Sequence, residues 1–389
     1  MIVYLDNSAS TKVDENVLKE MLPYFSEDYG NPGSMHSIGL KGSLALDFAR
    51  EKVAKLLNAD YREIIFTGSG SESINLAIKG VAQQKKKGHL ITTSIEHHAV
   101  LDSFENLEKE GFETTIVDVE KNGIVDVNKI KDAIREDTIL ISVMYANNEI
   151  GSIQPIKEIA KIAKENKILF HVDACQAGNS ENIDVKELGV DLMTLNGSKI
   201  HGPKGVGCLF KKRIVAIKPQ ILGGSQEFKL RSGTENVPLI IGFAKSLEIA
   251  QENKVEYKKH LTQLRDYFIE KLLKIPDTML NGDDKKRLPN NINITFLNIE
   301  GEAILLMMDH VGICASSGSA CTSKSLDPSH VILALGRPYE VAHGSIRFTM
   351  SKYTTKEELD HVIEKMPAIV KRLRDISPVH LTMEEIQNG

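Results

Sequence analysis

A lysine and an aspartate stand at the ends of successive apolar runs in the middle of this 389-residue chain. Asp173 belongs to HVDACQ, and Lys199 follows 26 residues later in NGSKIHGPKGVG. Pyridoxal phosphate (PLP) needs an amine for its aldehyde, an acid beside its pyridine nitrogen, and small residues where backbone comes close. Alone, Lys199 is typical of a surface lysine and Asp173 of a helix cap or turn. Together they predict a PLP site.

The segment TGSGSES, residues 67–73, leads into the helical stretch INLAIKGVA. Small residues such as Gly70 and Ser71, with free backbone N–H groups at a helix N-terminus, suit a phosphate. The segment lacks a full GxGxxG and has no GK[ST], so neither a dinucleotide fingerprint nor a nucleotide P-loop is supported. An ordinary capped helix start remains the alternative.

Two adjacent histidines, His97 and His98, follow the run HLITTS. Neighbouring side chains diverge on a helix or strand, and HExxH is absent, so we expect no metal here. One of the two rings is expected to line the site, where it could exchange protons near neutral pH or lie against a planar cofactor. A packing role remains open.

Two further residues, a cysteine and an arginine, could take part in catalysis or substrate binding. Cys321 lies in the small, polar run SSGSACTSKS, where a thiol is either an exposed nucleophile or an inert loop residue. Arg347 is a charge in the otherwise apolar strand GSIRFTM. It is either a clamp for a carboxylate or one half of a structural ion pair.

The elements that must position these residues alternate along the first half of the chain. Helical stretches separate the β-branched runs EIIF, HLITTS, TTIVDV, TILISVMYA, ILFHVD, DLMTL and VGCLF. This alternation predicts an α/β fold with a mostly parallel sheet covered by helices on both faces. Because ligands in such sheets bind at the carboxyl ends of strands, the polar residues that follow five of these runs should converge.

After Val237 the pattern changes to long helices, with a helical hairpin predicted over residues 245–275. Beyond it, NINITFLNI, ICASS and SIRFTM are predicted strands, GEAILLMMDHVG is a predicted helix, and Thr355 with Glu358 predicts a capping box. We therefore expect a large domain over residues 15–255. A smaller α+β domain is expected to comprise residues 1–14 and 256–389.

Composition excludes several other classes of protein. The net charge of −5 and short basic clusters argue against nucleic-acid binding, and no apolar run reaches the ~18 residues of a membrane span. No secretory signal pattern is present at the first residues, so a cytoplasmic location is expected. Four cysteines without a CxxC pair argue against a disulfide framework and against structural zinc.

Nearly the whole chain resembles the group I cysteine desulfurases, PLP-dependent enzymes of fold type I in the class V aminotransferase superfamily. The likeness is carried by YLDNSAST, YGNPGSMHSIG, FTGSGSESINLAIKG, EHHAVLD, NNEIG, HVDACQ, SKIHGPKGVG, LRSGTENVP and SSGSAC followed by SLDPSHV. The last combination is specific to group I. The resemblance implies a seven-stranded sheet, a homodimer, and conversion of L-cysteine to L-alanine. Sulfur would pass to a cysteine of the enzyme as a persulfide and then to an iron–sulfur scaffold protein or another acceptor.

The resemblance also implies a role for each catalytic residue. Lys199 would form the internal aldimine with PLP and later move the Cα proton of the substrate. Asp173 would hold the proton on the pyridine nitrogen, and His97 would stack on the ring and act as acid or base toward the substrate thiol. Cys321 would attack the substrate sulfur.

The same resemblance implies the binding residues. Gln176 would contact the phenolic oxygen of PLP, and Asn148 with Arg347 would bind near the substrate carboxylate. Thr234 would reach the phosphate from the neighbouring subunit. The remaining phosphate contacts would come from Gly70, Ser71, Asn196 and Ser198.

The phosphate site is where this chain departs from the family pattern. Asn196, Gly197 and Ser198 stand where the family usually has Ser, Gly and His. Loss of an imidazole donor would weaken cofactor retention by ~1.5–3 kcal/mol. Cys175 replaces a commoner Thr, and we expect it to fill space. Three functions stay open: desulfurase, another class V reaction such as selenocysteine lyase or aminotransferase, and a PLP-binding scaffold without catalysis.

Overall fold

The computed structural model of the chain describes residues 1–318, 328–378 and 381. Its strands are β1 (Val3–Tyr4), β2 (Ile64–Thr67), β3 (His89–Thr93), β4 (Glu113–Val117), β5 (Thr138–Met144), β6 (Leu169–Asp173), β7 (Leu192–Asn196), β8 (Gly207–Lys211), β9 (Thr278–Leu280), β10 (Asn291–Phe296), β11 (Ile313–Cys314) and β12 (Ser345–Thr349).

The helices are α1 (Glu15–Met21), α2 (Pro23–Ser26), α3 (Ser37–Leu57), α4 (Gly70–Lys85), α5 (His98–Lys109), α6 (Val127–Asp132), α7 (Ile156–Glu165), α8 (Val185–Leu188), α9 (Gln226–Lys229), α10 (Val237–Glu252), α11 (Lys254–Leu272), α12 (Gly301–His310), α13 (His330–Ala334), α14 (Tyr339–His343) and α15 (Lys356–Arg374). None of them, within the described ranges, is long and apolar enough to cross a membrane.

Within the described residues, the main sheet has seven strands in the order β2, β8, β7, β6, β5, β3, β4. The pairs from β7 through β6, β5 and β3 to β4 are parallel, and β8 runs antiparallel to both of its neighbours. The predicted mostly parallel, seven-stranded α/β fold is therefore confirmed. Each of the seven apolar runs named above supplies one of its strands.

Both faces of this sheet are covered by helices, except at the edge strand β4, most of whose residues are exposed or half-buried. On one face, Phe66 and Phe170 pack in a cluster with side chains of α3, α7 and α10. On the other, Ile65 and Leu209 pack with α4 and α5. Side chains of a strand alternate between faces, so two covered faces require runs that are apolar throughout.

A third apolar cluster is separate from the two on the main sheet and includes side chains of α11, α12 and α15. It packs on the antiparallel sheet β9, β10, β12 and on the parallel pair β1 and β11. Val3 and Leu5 from the start of the chain belong to this cluster. The domain bounds 15–255 and 1–14 with 256–389 remain a prediction, which the separate cluster supports.

Details of this second unit were partly missed. The short strand β9 was not predicted. The helical hairpin predicted over residues 245–275 corresponds to α10 and α11, which meet at Asn253, but α10 already begins at Val237. The capping box of α15 is present, since the side chains of Thr355 and Glu358 each accept the other residue's backbone N–H.

Candidate active site

A cavity of about 400 Å³ opens at the carboxyl edge of the main sheet. Strand β6 ends at Asp173 and β7 ends at Asn196, directly before a short 3₁₀ turn over Gly197–Lys199. Nine of the predicted residues line the cavity: Gly70, Ser71, His97, Asn148, Asp173, Gln176, Asn196, Lys199 and Arg347. The expected convergence of polar strand ends therefore occurs.

The Lys199 amine is held against the N-terminal segment of the chain. Its Nζ donates to the carbonyl oxygens of Ser8 at 2.7 Å and of Ala9 at 2.6 Å. The lysine's own carbonyl accepts from Asn179 Nδ2 at 2.7 Å. Because backbone and side chain are both anchored, the amine has a defined place in the cavity wall.

The carboxylate of Asp173 is buried, with 6% of the residue exposed. One oxygen, Oδ1, accepts the backbone N–H of Cys175 at 3.0 Å, which fixes the orientation of the carboxylate. The nearby Gln176 donates through Nε2 to the carbonyl of Ser8 at 3.1 Å. A buried carboxylate at a cavity wall is suited to hold a protonated ring nitrogen.

His97 is the N-cap of α5, and its Nδ1 accepts the backbone N–H of Ala99 at 3.0 Å. Burial lowers the pKa of the imidazole, although the nearby charge of Asp173 opposes the shift. The ring is therefore neutral at neutral pH. Since Nδ1 accepts, the single ring proton is on Nε2.

The first turn of α4 forms the anion-binding part of the cavity. The helix begins at Gly70, after the N-cap Ser69, and exposes backbone N–H groups there. A Cβ at Gly70 would lie 2.8 Å from Cys175 Sγ and 3.3 Å from Asn196 Cβ. Only glycine fits at this position without moving its neighbours.

Cys175 lines the cavity beside this glycine. Burial, followed by the negative charge of Asp173, raises the pKa of the Cys175 thiol well above its ordinary value. A thiol that keeps its proton is a poor nucleophile. That Cys175 fills space stays a prediction, and its contact with Gly70 supports it.

Two predicted phosphate ligands do not line the cavity. The Ser198 backbone N–H and hydroxyl both lie within hydrogen-bond distance of Asn196 Oδ1, at 3.3 and 3.4 Å. Thr234 is exposed on the single chain, and its predicted role concerns a neighbouring subunit. Cys321, the predicted nucleophile, lies outside the described residues.

Arg347 fits both interpretations that its sequence left open. It is 2% exposed, and its Nη2 donates to Asp6 Oδ1 at 2.7 Å. Nη1 reaches the Asn148 carbonyl at 3.4 Å, whereas Nε has no partner among the described residues. One edge of the guanidinium is thus engaged in a structural ion pair, and an N–H remains for another acceptor.

Sequence reasoning gave no role to several cavity residues, including Glu149 and His330. Glu149 is buried and accepts a hydrogen bond from the hydroxyl of Ser329. His330 donates from Nε2 to the Glu96 carbonyl at 3.0 Å. Both lie in motifs noted above, NNEIG and SLDPSHV, but only the fold brings the two motifs together.

The residues present fit pyridoxal phosphate. The cavity offers an amine, a buried carboxylate, a neutral aromatic ring and a helix N-terminus whose first residue has no Cβ. In addition, the hydroxyl of Ser8 is buried and without a partner among the described residues.

Known proteins similar to this chain point to the same chemistry. The family model "Aminotransferase class-V" matches residues 3–362. A protein named cysteine desulfurase IscS from Methanosarcina thermophila is 52% identical over 379 residues, which cover 97% of this chain and 94% of that protein. The chain belongs to the cysteine desulfurases of the class-V aminotransferase family.

Other known proteins extend this likeness. A protein of the same name from Clostridium botulinum is 50% identical over 97% of this chain and 96% of its own length. A solved structure of a NifS-like protein superposes with a TM-score of 0.91 at 40% identity, covering 96% of this chain and all of that chain. The predicted family and PLP as its cofactor are confirmed.

A buried carboxyl group next to His97 makes stability depend on pH in this desulfurase. Glu96 Oε1 accepts from Thr93 Oγ1 at 2.6 Å and from the Met144 backbone N–H at 2.9 Å, while Oε2 has no partner among the described residues. Burial raises the pKa of Glu96 to about 8. The folded protein therefore keeps a proton that the unfolded chain releases above pH ~4.3.

Between pH ~4.3 and about 8 the folded state binds more protons than the unfolded state, so stability falls as pH rises, by up to ~1.4 kcal/mol per pH unit. Glu96→Gln removes this titration. The parent should lose stability from pH 5 to pH 8, whereas the variant should not show this loss. We therefore expect the difference in free energy of unfolding, variant minus parent, to increase over this pH range. Urea unfolding across this range measures it, with exposed Glu165→Gln as control. Parallel pH profiles in parent and Glu96→Gln would contradict the assignment.

Proposed function

We propose that this protein is a homodimeric enzyme that converts L-cysteine to L-alanine and passes the sulfur to Cys321 and then to an acceptor protein. The observation that carries the proposal is the convergence of Lys199, Asp173, His97 and Arg347 on one cavity. A structural relative at 36% identity, SspA, has been solved in complex with cysteine.

Different residues of the cavity would bind the cofactor and the substrate. Bound pyridoxal phosphate supplies an electron sink that permits cleavage at Cα and Cβ of the substrate. Asp173 would hold the ring nitrogen protonated. The free N–H of Arg347 would bind the substrate carboxylate near Asn148, with the guanidinium oriented by its ion pair to Asp6.

Proton transfer would be shared by two groups. The Lys199 amine, which lines the cavity, would take the proton from Cα and return a proton to Cβ. His97, neutral and with its proton on Nε2, would exchange a proton with the substrate thiol. Its Nδ1 cannot serve because it accepts the Ala99 N–H.

Sulfur transfer would need a second thiol. The Cβ–S bond of cysteine breaks, a bond forms between that sulfur and the Cys321 sulfur, and Cβ gains a proton. The products are alanine and an enzyme persulfide, and no external oxidant is required because sulfur is oxidised as carbon is reduced. An iron–sulfur scaffold protein or another thiol acceptor would then take the terminal sulfur.

Replacement of the nucleophile tests this function. We expect Cys321→Ala to reduce sulfide and alanine formation from cysteine by at least ~100-fold, since the covalent sulfur acceptor is lost. The visible absorption of the bound cofactor should stay unchanged. Cys208→Ala, at a fully buried position in β8, is the control. Full turnover by Cys321→Ala would contradict the assignment.

A homodimer is supported by large apolar side chains that are exposed on the single chain. Leu22, Phe25, Leu44, Phe48 and Leu222 are each more than half exposed. Leu44 and Phe48 lie one turn apart on α3, and exposed neighbouring apolar side chains of this kind are typical of a subunit interface. Thr234 would then reach the partner's phosphate site.

Mass measurement in solution tests the dimer. We expect sedimentation of the parent to give twice the chain mass of 43.1 kDa. Phe48→Glu should shift the distribution toward monomer and lower activity together, because a charge opposes burial at an interface. Full activity in a strictly monomeric protein would contradict the role of Thr234.

The proposed location is the cytoplasm. The three cysteines among the described residues, Cys175, Cys208 and Cys314, are free. Free thiols without disulfide partners are typical of a reducing compartment.

A further inference from the structure

A second cavity, of about 520 Å³, adjoins the segment that carries Lys199. Ile200 and His201, the two residues after the lysine, form part of its wall. Its inner wall is buried, with Asn179 9% exposed and Ser246 1% exposed. Glu256 and His260 of α11 are exposed at its rim. In the described part of the chain, this cavity shares no lining residue with the cofactor cavity.

His201 is held rigidly in the wall of this second cavity. Its backbone has a φ of +60°, a left-handed conformation that non-glycine residues rarely adopt. The backbone N–H donates to Thr11 Oγ1 at 2.9 Å, and the carbonyl accepts the Asp14 N–H at 2.9 Å. The ring is also fixed, because Nδ1 lies 3.0 Å from the Lys12 carbonyl oxygen.

These contacts determine what the other ring nitrogen of His201 can do. A carbonyl oxygen only accepts, so Nδ1 carries the proton that is donated to Lys12. Burial lowers the pKa of His201 to about 4, and the ring is neutral at neutral pH. Nε2 is therefore an acceptor. It is buried, in a residue 4% exposed, and has no partner among the described residues.

The surroundings of Nε2 define the rest of the ligand. Asp14, the one carboxylate in the buried wall among the residues that the structure describes, pairs with Lys352 and also accepts from the Tyr353 hydroxyl at 3.2 Å. Val17 and Ala250 add apolar surface. Since the charges in the buried wall are already paired, a charged ligand would gain little there and would lose its hydration.

We propose that this cavity is a second small-molecule site, which takes a neutral molecule with an apolar body and one hydroxyl or N–H donor directed at His201 Nε2. The volume lies within the ~300–1,000 Å³ of small-molecule sites. The donor is required because a buried acceptor without a partner opposes burial of a purely apolar ligand.

Phenol and anisole test the donor requirement, because both have the same ring and only phenol has an O–H. Each is titrated into the holoenzyme and followed by ligand-observed NMR and calorimetry. We expect phenol to bind saturably, one molecule per chain, about tenfold more tightly than anisole. Equal affinities would overturn the donor assignment. No binding of either probe at millimolar concentration would show that the cavity holds water only.

Two variants locate the bound probe. His201→Phe keeps an aromatic ring but removes the acceptor nitrogen. Phenol and anisole should then bind this variant with nearly equal dissociation constants. Ala250→Phe fills the cavity from α10 and should abolish binding of both probes. The holoenzyme's visible absorption and its unfolding midpoint in urea show whether each variant is folded. Phenol binding that persists in a folded Ala250→Phe would place the probe elsewhere and overturn the proposal.

Discussion

Replacement of Lys199 by alanine should reduce alanine formation from cysteine by at least ~10⁴-fold. The amine is expected to act both as the covalent anchor of the cofactor and as the group that moves the Cα proton, and general acid–base catalysis alone contributes ~10²–10⁴. The loss should appear in kcat. The visible absorption of the purified protein should change in the same variant, because the cofactor would lose its link to the chain.

Lys204→Ala is the matched control for this variant. Lys204 belongs to the same segment, five residues further on, but it is exposed and does not line the cavity. Its replacement should leave turnover and absorption as in the parent. If Lys199→Ala kept more than ~1% of the parent's turnover in an assay without added primary amine, the role of the lysine would be contradicted.

The second large effect concerns stability and follows from a buried ion pair. Arg50 of α3 makes two hydrogen bonds of 2.7 Å to the carboxylate of Glu227, and both side chains are at most 4% exposed. Glu227 also accepts the Phe66 backbone N–H at 2.8 Å, and Arg50 donates to the Ile64 carbonyl at 2.6 Å. The pair thus joins α3, the edge strand β2 and the short segment α9.

Arg50→Met should lower the free energy of unfolding by about 3–5 kcal/mol, because it leaves the Glu227 carboxylate buried without its partner. Urea unfolding at a fixed protein concentration measures the change. Lys371→Met, in the exposed pair with Asp375 on α15, should have little effect. The double variant Arg50→Met with Glu227→Leu should regain most of the loss, since no unpaired charge remains. A loss below ~1 kcal/mol in the single variant would show that the buried charge is hydrated.

This pair also holds an unusual stretch of backbone. Glu227, Phe228 and Lys229 have successive φ values of +46°, +58° and +66°. A left-handed conformation costs roughly 1–2 kcal/mol per non-glycine residue, so tertiary contacts must hold it. The predicted phosphate ligand Thr234 follows five residues later. We therefore expect Arg50→Met to weaken cofactor retention as well as stability.

Most of the main sheet was predictable because its signal is local. Seven apolar runs separated by helical stretches correspond to seven strands, and in all of them except the edge strand β4 burial on both faces demands continuous apolar residues. The short strand β9 was missed because three residues carry too little pattern to distinguish a strand from a loop.

The sequence by itself determined the family and the cofactor, because the motifs combine distinctive residue types with fixed spacing, and it predicted the residues that would bind the cofactor. Asp173 and Lys199, with which that prediction began, line the same cavity as expected. Only the tertiary structure decided what surrounds them. The carbonyl oxygens that accept from Lys199 belong to Ser8 and Ala9, 191 and 190 positions away.

The same holds for the contacts that explain the remaining predictions. Arg347 and Asp6 are 341 positions apart, and Arg50 and Glu227 are 177 apart. Whether a buried arginine is paired, or the Nε2 of His201 lacks a donor, depends on which distant segments the folded chain brings within about 3 Å. Local sequence pattern reports which residues are buried, but packing of the whole chain selects their partners.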